Sequence, residues 1–378
     1  MKNWLTYLVS SALGILFFFM FHTEAWYIPV VSTAVSWLQS FCSVSFLIIM
    51  GLTLSAAVSS FLGHKDIGTG VCLTTLLWGL VSGFVLCIVA GLIFLVLPTA
   101  PDLPSTANNV KPVFANNFFV VLVAALLLGF ALRPTAKVFK DAYSLENSLS
   151  EAAFRFCKDF SRFWWIALFF FSAYAAPSLQ GNSFTILLPS LVIAAVSVVV
   201  VLPLLFCCFT HFKINPFRKM FRLLPPALSA LFGQNADAAY IPLYSSERNN
   251  LGIQKRVVGF CTPLFRIMGR GGSAAFATYA VCLAIYNSGE AVSLVTVLLV
   301  AAACTCVSFA AFSAPGTEVL VICSFAFSLF ERKADSIALL PLLAPLSALV
   351  DVLISGLGPI IIGKNFNADC EICNWDTV

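Results

Sequence analysis

The chain is predicted to be an all-α integral membrane protein with eight transmembrane helices and two re-entrant helical hairpins. Three observations carry this prediction. Apolar residues make up 60% of the 378 positions and charged residues 10%, against about 45–50% and 25% in soluble domains. Several stretches exceed the roughly 18 apolar residues that mark a membrane helix. Two further apolar stretches carry polar breaks at corresponding places, which suits helix–turn–helix insertions whose polar tips are covered by protein rather than lipid.

The spans follow in order. Trp4–Phe21, with Lys2 before it, resembles a secretion signal. No small-residue cleavage site follows and further spans do, so it is read as the first helix. Pro29–Leu62, Thr69–Leu97 and Phe118–Leu132 come next, with Pro98–Asn117 a solvated connector rich in proline and asparagine. Arg133–Arg162 is amphipathic and of mixed charge, so it is expected along the inner surface without chemistry of its own, near the boundary between two halves. Phe160–Pro177 and Phe184–Phe209 complete the first six spans, with Trp164 and Trp165 expected at the inner interface. Leu223–Tyr244 is the first hairpin, interrupted by Pro225-Pro226 and by Gly233-Gln234-Asn235-Ala236-Asp237. Val257–Ile285 is the seventh span. Ala291–Phe330 is too long for one crossing and breaks at Ser313-Ala314-Pro315-Gly316, giving the second hairpin; Ile337–Gly363 is the eighth span.

Charge orients this layout. With a cytoplasmic N-terminus, sixteen of the 21 lysines and arginines fall inside, from Lys2 and Lys65 to Lys364, and only Lys111, Arg332 and Lys333 fall outside. That asymmetry is what the positive-inside rule requires. Both termini are therefore expected in the cytoplasm, with the protein in a plasma (inner) membrane.

Catalytic chemistry finds little support. The thirteen cysteines are scattered through apolar segments, where cysteine behaves as a small hydrophobe. Cys370-Glu371-Ile372-Cys373 has metal-like spacing but no partner pair. His22, His64 and His211 fall at span ends, and no Gly-rich phosphate loop is present. No enzyme activity, resident cofactor or nucleic-acid partner is expected; lipid and a small molecule are.

The remaining two arginines stand inside the seventh span, in Phe265-Arg266-Ile267-Met268-Gly269-Arg270-Gly271-Gly272-Ser273. A charge at mid-membrane costs about 2.5–3.5 kcal/mol on insertion scales, so it faces protein and marks a site. The adjoining glycines are poor helix formers and allow the backbone to open. A broken helix with charge at the break is a usual form of a transporter's binding centre.

Six spans, an inside hairpin, a broken seventh span, an outside hairpin and an eighth span resemble the dicarboxylate/amino acid:cation symporters, the glutamate-transporter family. Local runs agree. Gly51–Leu97 resembles that family's second and third spans, and Val110-Lys111-Pro112 with Asn116–Leu132 its fourth. Lys213-Ile214-Asn215-Pro216-Phe217 and Pro226–Phe232 resemble the approach to its first hairpin. Thr262-Pro263-Leu264 resembles the start of its seventh span, Ser313-Ala314-Pro315-Gly316 its second tip, and Val350-Asp351-Val352 with Ile360–Lys364 its eighth span. The resemblance implies a secondary symporter for a small organic anion or amino acid, coupled to Na+ or H+. It implies an elevator movement of a core, residues 213–364, against scaffold helices mainly in residues 1–212. Residues 365–378 form a cytoplasmic tail, and the assembly is a homotrimer.

The resemblance also places the site, and the residues there depart from the family's pattern. The family's serine-rich first tip is replaced by Gln234-Asn235-Ala236-Asp237. Its seventh-span Asn-Met-Asp-Gly-Thr becomes Gly269-Arg270-Gly271-Gly272-Ser273. In the eighth span, Ala344, Ser347, Asp351 and Ser355 fall at the family's amine-binding aspartate, arginine, asparagine and second aspartate. The expected site is therefore Asn235, Asp237, Arg266, Gly269, Arg270, Gly271, Ser273, Ser313, Pro315, Gly316, Ser347 and Asp351. Arg270 is expected to fill part of a sodium position and to satisfy Asp351 or Asp237, with Asp351 the first choice for carrying a proton. Glu318 is read equally as a helix cap or a ligand. The alternative is a transport-incompetent or channel-like descendant of the same fold, in which the arginines form a structural salt bridge.

Overall fold

The computed structural model describes residues 3–24, 26–62, 65–95, 116–131, 140–176, 188–287, 290, 292–310, 318–330 and 340–365. Regular structure among them is helical throughout. The first six apolar segments form α1 (Asn3–Phe21), α2 (Tyr27–Leu62), α3 (Lys65–Leu92), α4 (Asn116–Ala131), α6 (Trp164–Ala175) and α7 (Leu188–Phe209), with the amphipathic α5 (Lys140–Ser161) between α4 and α6. Four helical stretches, Tyr27–Ser59, Gly70–Leu95, Pro189–Phe209 and Leu342–Lys364, are long and apolar enough to cross a membrane. The protein is an integral membrane protein.

The two interrupted segments are each built from paired helices. Pro216 and the Asn215 side chain, which accepts from Phe217 N and Arg218 N, start the short α8 (Pro216–Arg222). Then α9 (Leu224–Gly233) ends at Gln234, whose left-handed backbone (φ 51°) reverses the chain. A 3-10 turn (Ala236–Ala239) leads into α10 (Tyr240–Ser245). In the second, α13 (Leu294–Ala310) packs against α14 (Glu318–Leu329). The connection bearing Ser313, Pro315 and Gly316 lies outside the described residues.

The seventh apolar segment is two helices, α11 (Lys255–Met268) and α12 (Gly271–Asn287), separated at Gly269 and Arg270. The eighth is the single α15 (Leu340–Asn365), which absorbs Pro345 and Pro359 without ending. Proline therefore does not decide where these helices break; α11 likewise continues through Pro263.

The core sits around α12. Every residue of α12 from Gly271 to Leu283 is buried, packed among α3, α13, α14 and α15. Glycines set the closest approaches. A Cβ on Gly79 of α3 would stand 2.6 Å from the Met268 carbonyl oxygen, and one on Gly271 would stand 3.0 Å from the Gly83 Cα. Gly79 and Gly83 form a small-xxx-small seat for the break, the arrangement by which membrane helices bring their backbones together. Trp78 Nε1 donates to the Ile354 carbonyl at 3.1 Å, tying α3 to α15.

Outside this core, α1 packs on α6, and α2 packs on α4, α5 and α6. The amphipathic α5 does more than lie on a surface: its buried face, including Ser150, Phe154 and Cys157, meets α2 and α10. Trp164 is covered by protein. It is 1% exposed and donates Nε1–H to Ser229 Oγ of α9 at 3.0 Å. Its neighbour Trp165 remains exposed. Apolar periodicity could not separate the two, because a lipid-facing side and a protein-facing side are equally apolar here.

Candidate functional site

The site is assembled where α11 stops. Gly269 N–H closes the last turn onto the Phe265 carbonyl at 2.8 Å, and α12 begins at Gly271. Neither glycine adopts positive φ. Their service is close approach. A Cβ on Gly269 would lie 2.7 Å from the Phe265 oxygen and 3.0 Å from Ser355 Oγ, and one on Gly272 would lie 2.6 Å from the Ser347 carbonyl oxygen.

The first turn of α12 exposes backbone donors that have no partner within the helix. Asp351, from the middle of α15, takes them. Its Oδ1 accepts from Gly272 N–H at 2.7 Å and from Ser273 N–H at 3.0 Å, and its Oδ2 accepts from Ser273 Oγ at 2.5 Å. An acid at a helix N-terminus also meets the positive end of the helix dipole. Ser355 Oγ donates to the Asp351 carbonyl at 2.8 Å, and Ser347 Oγ donates to the Ala344 carbonyl at 2.9 Å.

Arg266, near the end of α11, reaches both hairpins. Its Nε lies 2.6 Å from Asp237 Oδ1 in the first hairpin, and its Nη2 lies 2.8 Å from Glu318 Oε1 at the start of α14. These side chains are between 3% and 8% exposed. At such burial an ion pair must be well made, since the desolvation of each charge is recovered only by close geometry. Asn235 shapes the first tip: its Oδ1 accepts from Asp237 N–H at 2.9 Å. Arg270 is 2% exposed and donates its Nε–H to the Arg266 carbonyl at 3.0 Å, which spans the break.

The structure thus brings together Asn235, Asp237, Arg266, Gly269, Arg270, Gly271, Ser273, Ser347 and Asp351. Ser313, Pro315 and Gly316 fall outside the described residues. Asp237 is paired with Arg266, and Asp351 is held by the N-terminus of α12. Arg266, one helical turn before Arg270, is the arginine that meets Asp237 and Glu318. Glu318 is an ion-pair partner at the site. Gly79 and Gly83 were not singled out from sequence, although their spacing was a readable signal.

Among the described residues, no cluster of three or more histidine, cysteine, aspartate or glutamate side chains could hold a metal ion. The arrangement offers instead a buried, charged centre where two hairpins, the N-terminus of α12 and α15 meet. No curated protein matches the chain significantly. A family model does: the sodium:dicarboxylate symporter family, over residues 103–355. That match takes in the first hairpin, the break with Arg266 and Arg270, the second hairpin and Asp351. It covers well over half of the chain, and the protein is therefore a member of the sodium:dicarboxylate symporter family, a family of transporters.

Proposed function

We propose that the protein is a secondary active symporter, moving a small organic anion or amino acid together with a cation across the plasma (inner) membrane. The observation that carries this reading is the interrupted α11–α12 segment, with five buried charged side chains from four elements gathered around it. Three acids, Asp237, Glu318 and Asp351, stand against two arginines, Arg266 and Arg270. With all ionised, the centre is one positive charge short. An added cation offsets that charge, and an anionic substrate arriving without one meets net repulsion.

The donors suggest which cation. Asp351 turns its oxygens to N–H and O–H groups, and Arg266 holds Asp237 and Glu318. A sodium ion competes with these donors for the same oxygens, whereas a proton binds to an oxygen without a coordination shell. Weak or absent sodium dependence is the expected result, with H+ the driving ion. Arg270, beside the break, is the residue expected to recognise a carboxylate by its planar fork.

The wider arrangement follows the same reading. Residues 213–364 form the moving core, scaffold helices from residues 1–212 stay in the membrane, eight spans and two hairpins make the protomer, and three protomers assemble with their termini in the cytoplasm. An elevator movement carries the site past the scaffold.

One observation favours a second reading. Arg266 joins α11 to both hairpins at 2.6 and 2.8 Å, and such a clamp suits a chain that keeps the fold without opening. Uptake of radiolabelled succinate and aspartate into proteoliposomes, under separately imposed Na+ and H+ gradients, decides between them. Gradient-driven accumulation supports the symporter. No accumulation with either probe under either gradient favours the clamped form, and steep sodium dependence at constant pH removes the proton assignment.

A further inference from the structure

Away from the charged break, Glu247 is completely buried, at 0% exposure. It lies in the π-helical turn Ser246–Asn250 between α10 and α11, outside the apolar spans. Its Oε2 meets Thr262 Oγ1 of α11 at 2.6 Å, while its Oε1 has no hydrogen-bond partner among the described residues.

Among the described residues no ion pair reaches it; Arg222 of α8 comes to the same turn but donates to the Asn250 carbonyl at 2.9 Å. Tyr244 of α10 and Cys261 of α11 are ionisable groups close enough to feel its charge. From α2, Thr53 Oγ1 meets the Tyr244 hydroxyl at 3.4 Å, and from α5 come Phe154 and Cys157. Arg248 turns to the Ile253 carbonyl at 3.1 Å, Lys255 donates to Asn147, and Arg256 is exposed. An ionised carboxylate without a cation is poorly tolerated in such a place. A carboxylic acid is not. It can donate its own O–H to Thr262 Oγ1 across the same 2.6 Å, because a hydroxyl serves as donor or acceptor.

We propose that Glu247 is a proton-binding site of the core, occupied by a proton in the structure described. Burial pushes its carboxyl well above the usual glutamate range. Arg248, Asn249 and Asn250, the next three residues, are exposed, so the proton reaches water over a short path. The site is separate from the charged break and holds whether or not the chain transports. In a carrier, a proton bound here travels with the core.

Infrared spectroscopy of the detergent-purified full-length protein tests this directly. At neutral pH the wild type shows a protonated-carboxyl C=O band that Glu247→Gln lacks, and alkaline titration removes it. A wild-type-minus-variant spectrum showing an ionised carboxylate at neutral pH overturns the proposal. Thermal melts give a second readout. A group whose folded pKa is raised stabilises fully below its unfolded value, about 4.3, and its contribution is lost as pH rises toward the folded value. The wild-type melting temperature is thus expected to fall over that window more than that of Glu247→Gln; parallel curves count against the proton. Should Glu247→Gln fail to fold, Thr262→Val leaves the glutamate in place. A shift of the band is then expected, and an unchanged band overturns the assignment.

Discussion

Asp237 and Glu247 lie ten positions apart and are equally hidden, yet they live in opposite surroundings. Asp237 sits 2.6 Å from a guanidinium that also binds Glu318 at 2.8 Å. Among the described residues, Glu247 meets one hydroxyl, and its other oxygen has no hydrogen-bond partner. Burial alone therefore does not set the state of an acid; its partners do. The first region keeps its charges by pairing them across three elements. The second keeps its acid by leaving it uncharged. A carrier has use for both, one as a rigid charged centre and the other as a place for a proton.

This contrast breaks most readily at Arg266. Arg266→Ala strands two buried carboxylates and is expected to cost about 3–5 kcal/mol, seen as the largest drop in melting temperature of any variant named here. Arg266→Lys, with a point charge in place of a fork, should restore only part of it. A near-wild-type Arg266→Ala would show that the acids are already neutral, making the two regions alike.

Packing at the break gives the next effect. Gly272→Ala drives a methyl to within 2.6 Å of the Ser347 carbonyl, and overpacking of this kind costs about 1–3 kcal/mol. Ser273→Ala removes one of the three donors to Asp351 while leaving both N–H groups. A loss of about 1.5–3 kcal/mol is expected for a charged acceptor. Equal melting temperatures for Ser273→Ala and wild type would show that Asp351 does not need the hydroxyl.

Glu247→Gln sharpens the other half of the contrast. Its effect is expected to depend on pH, with the variant gaining on the wild type as pH rises, opposite in sense to the loss at Arg266. The smallest effect belongs to the surface. Arg155 and Glu151 on α5 are 3.4 Å apart with side chains 75% and 56% exposed, so Arg155→Ala should change stability by about 0.5 kcal/mol or less.

Several of these features were legible beforehand. The glycines and arginines of residues 266–273 announced a broken helix, because charge and poor helix formers cannot continue an apolar span. The polar run at residues 233–237 announced a hairpin turn. Glu247 was not legible. It stands in Ser-Glu-Arg-Asn-Asn, a run that reads as solvated surface, and only the fold of that turn against Thr262 buries it. The partner of Trp164 was hidden for a related reason, since an aromatic residue at a span end looks the same whether it faces headgroups or Ser229.

Membrane residence, the order of the apolar helices and the location of the break are properties of composition and local pattern, and they follow from the chain alone because water, lipid and backbone hydrogen bonding act residue by residue. The identity of each charged partner does not. Asp237, Arg266, Glu318 and Asp351 are far apart along the chain, and which of them meet depends on how α11, α12, α15 and two hairpins dock. That Arg266 is the arginine that meets Asp237 and Glu318 is decided by this docking, and nothing in the linear order distinguishes it from Arg270.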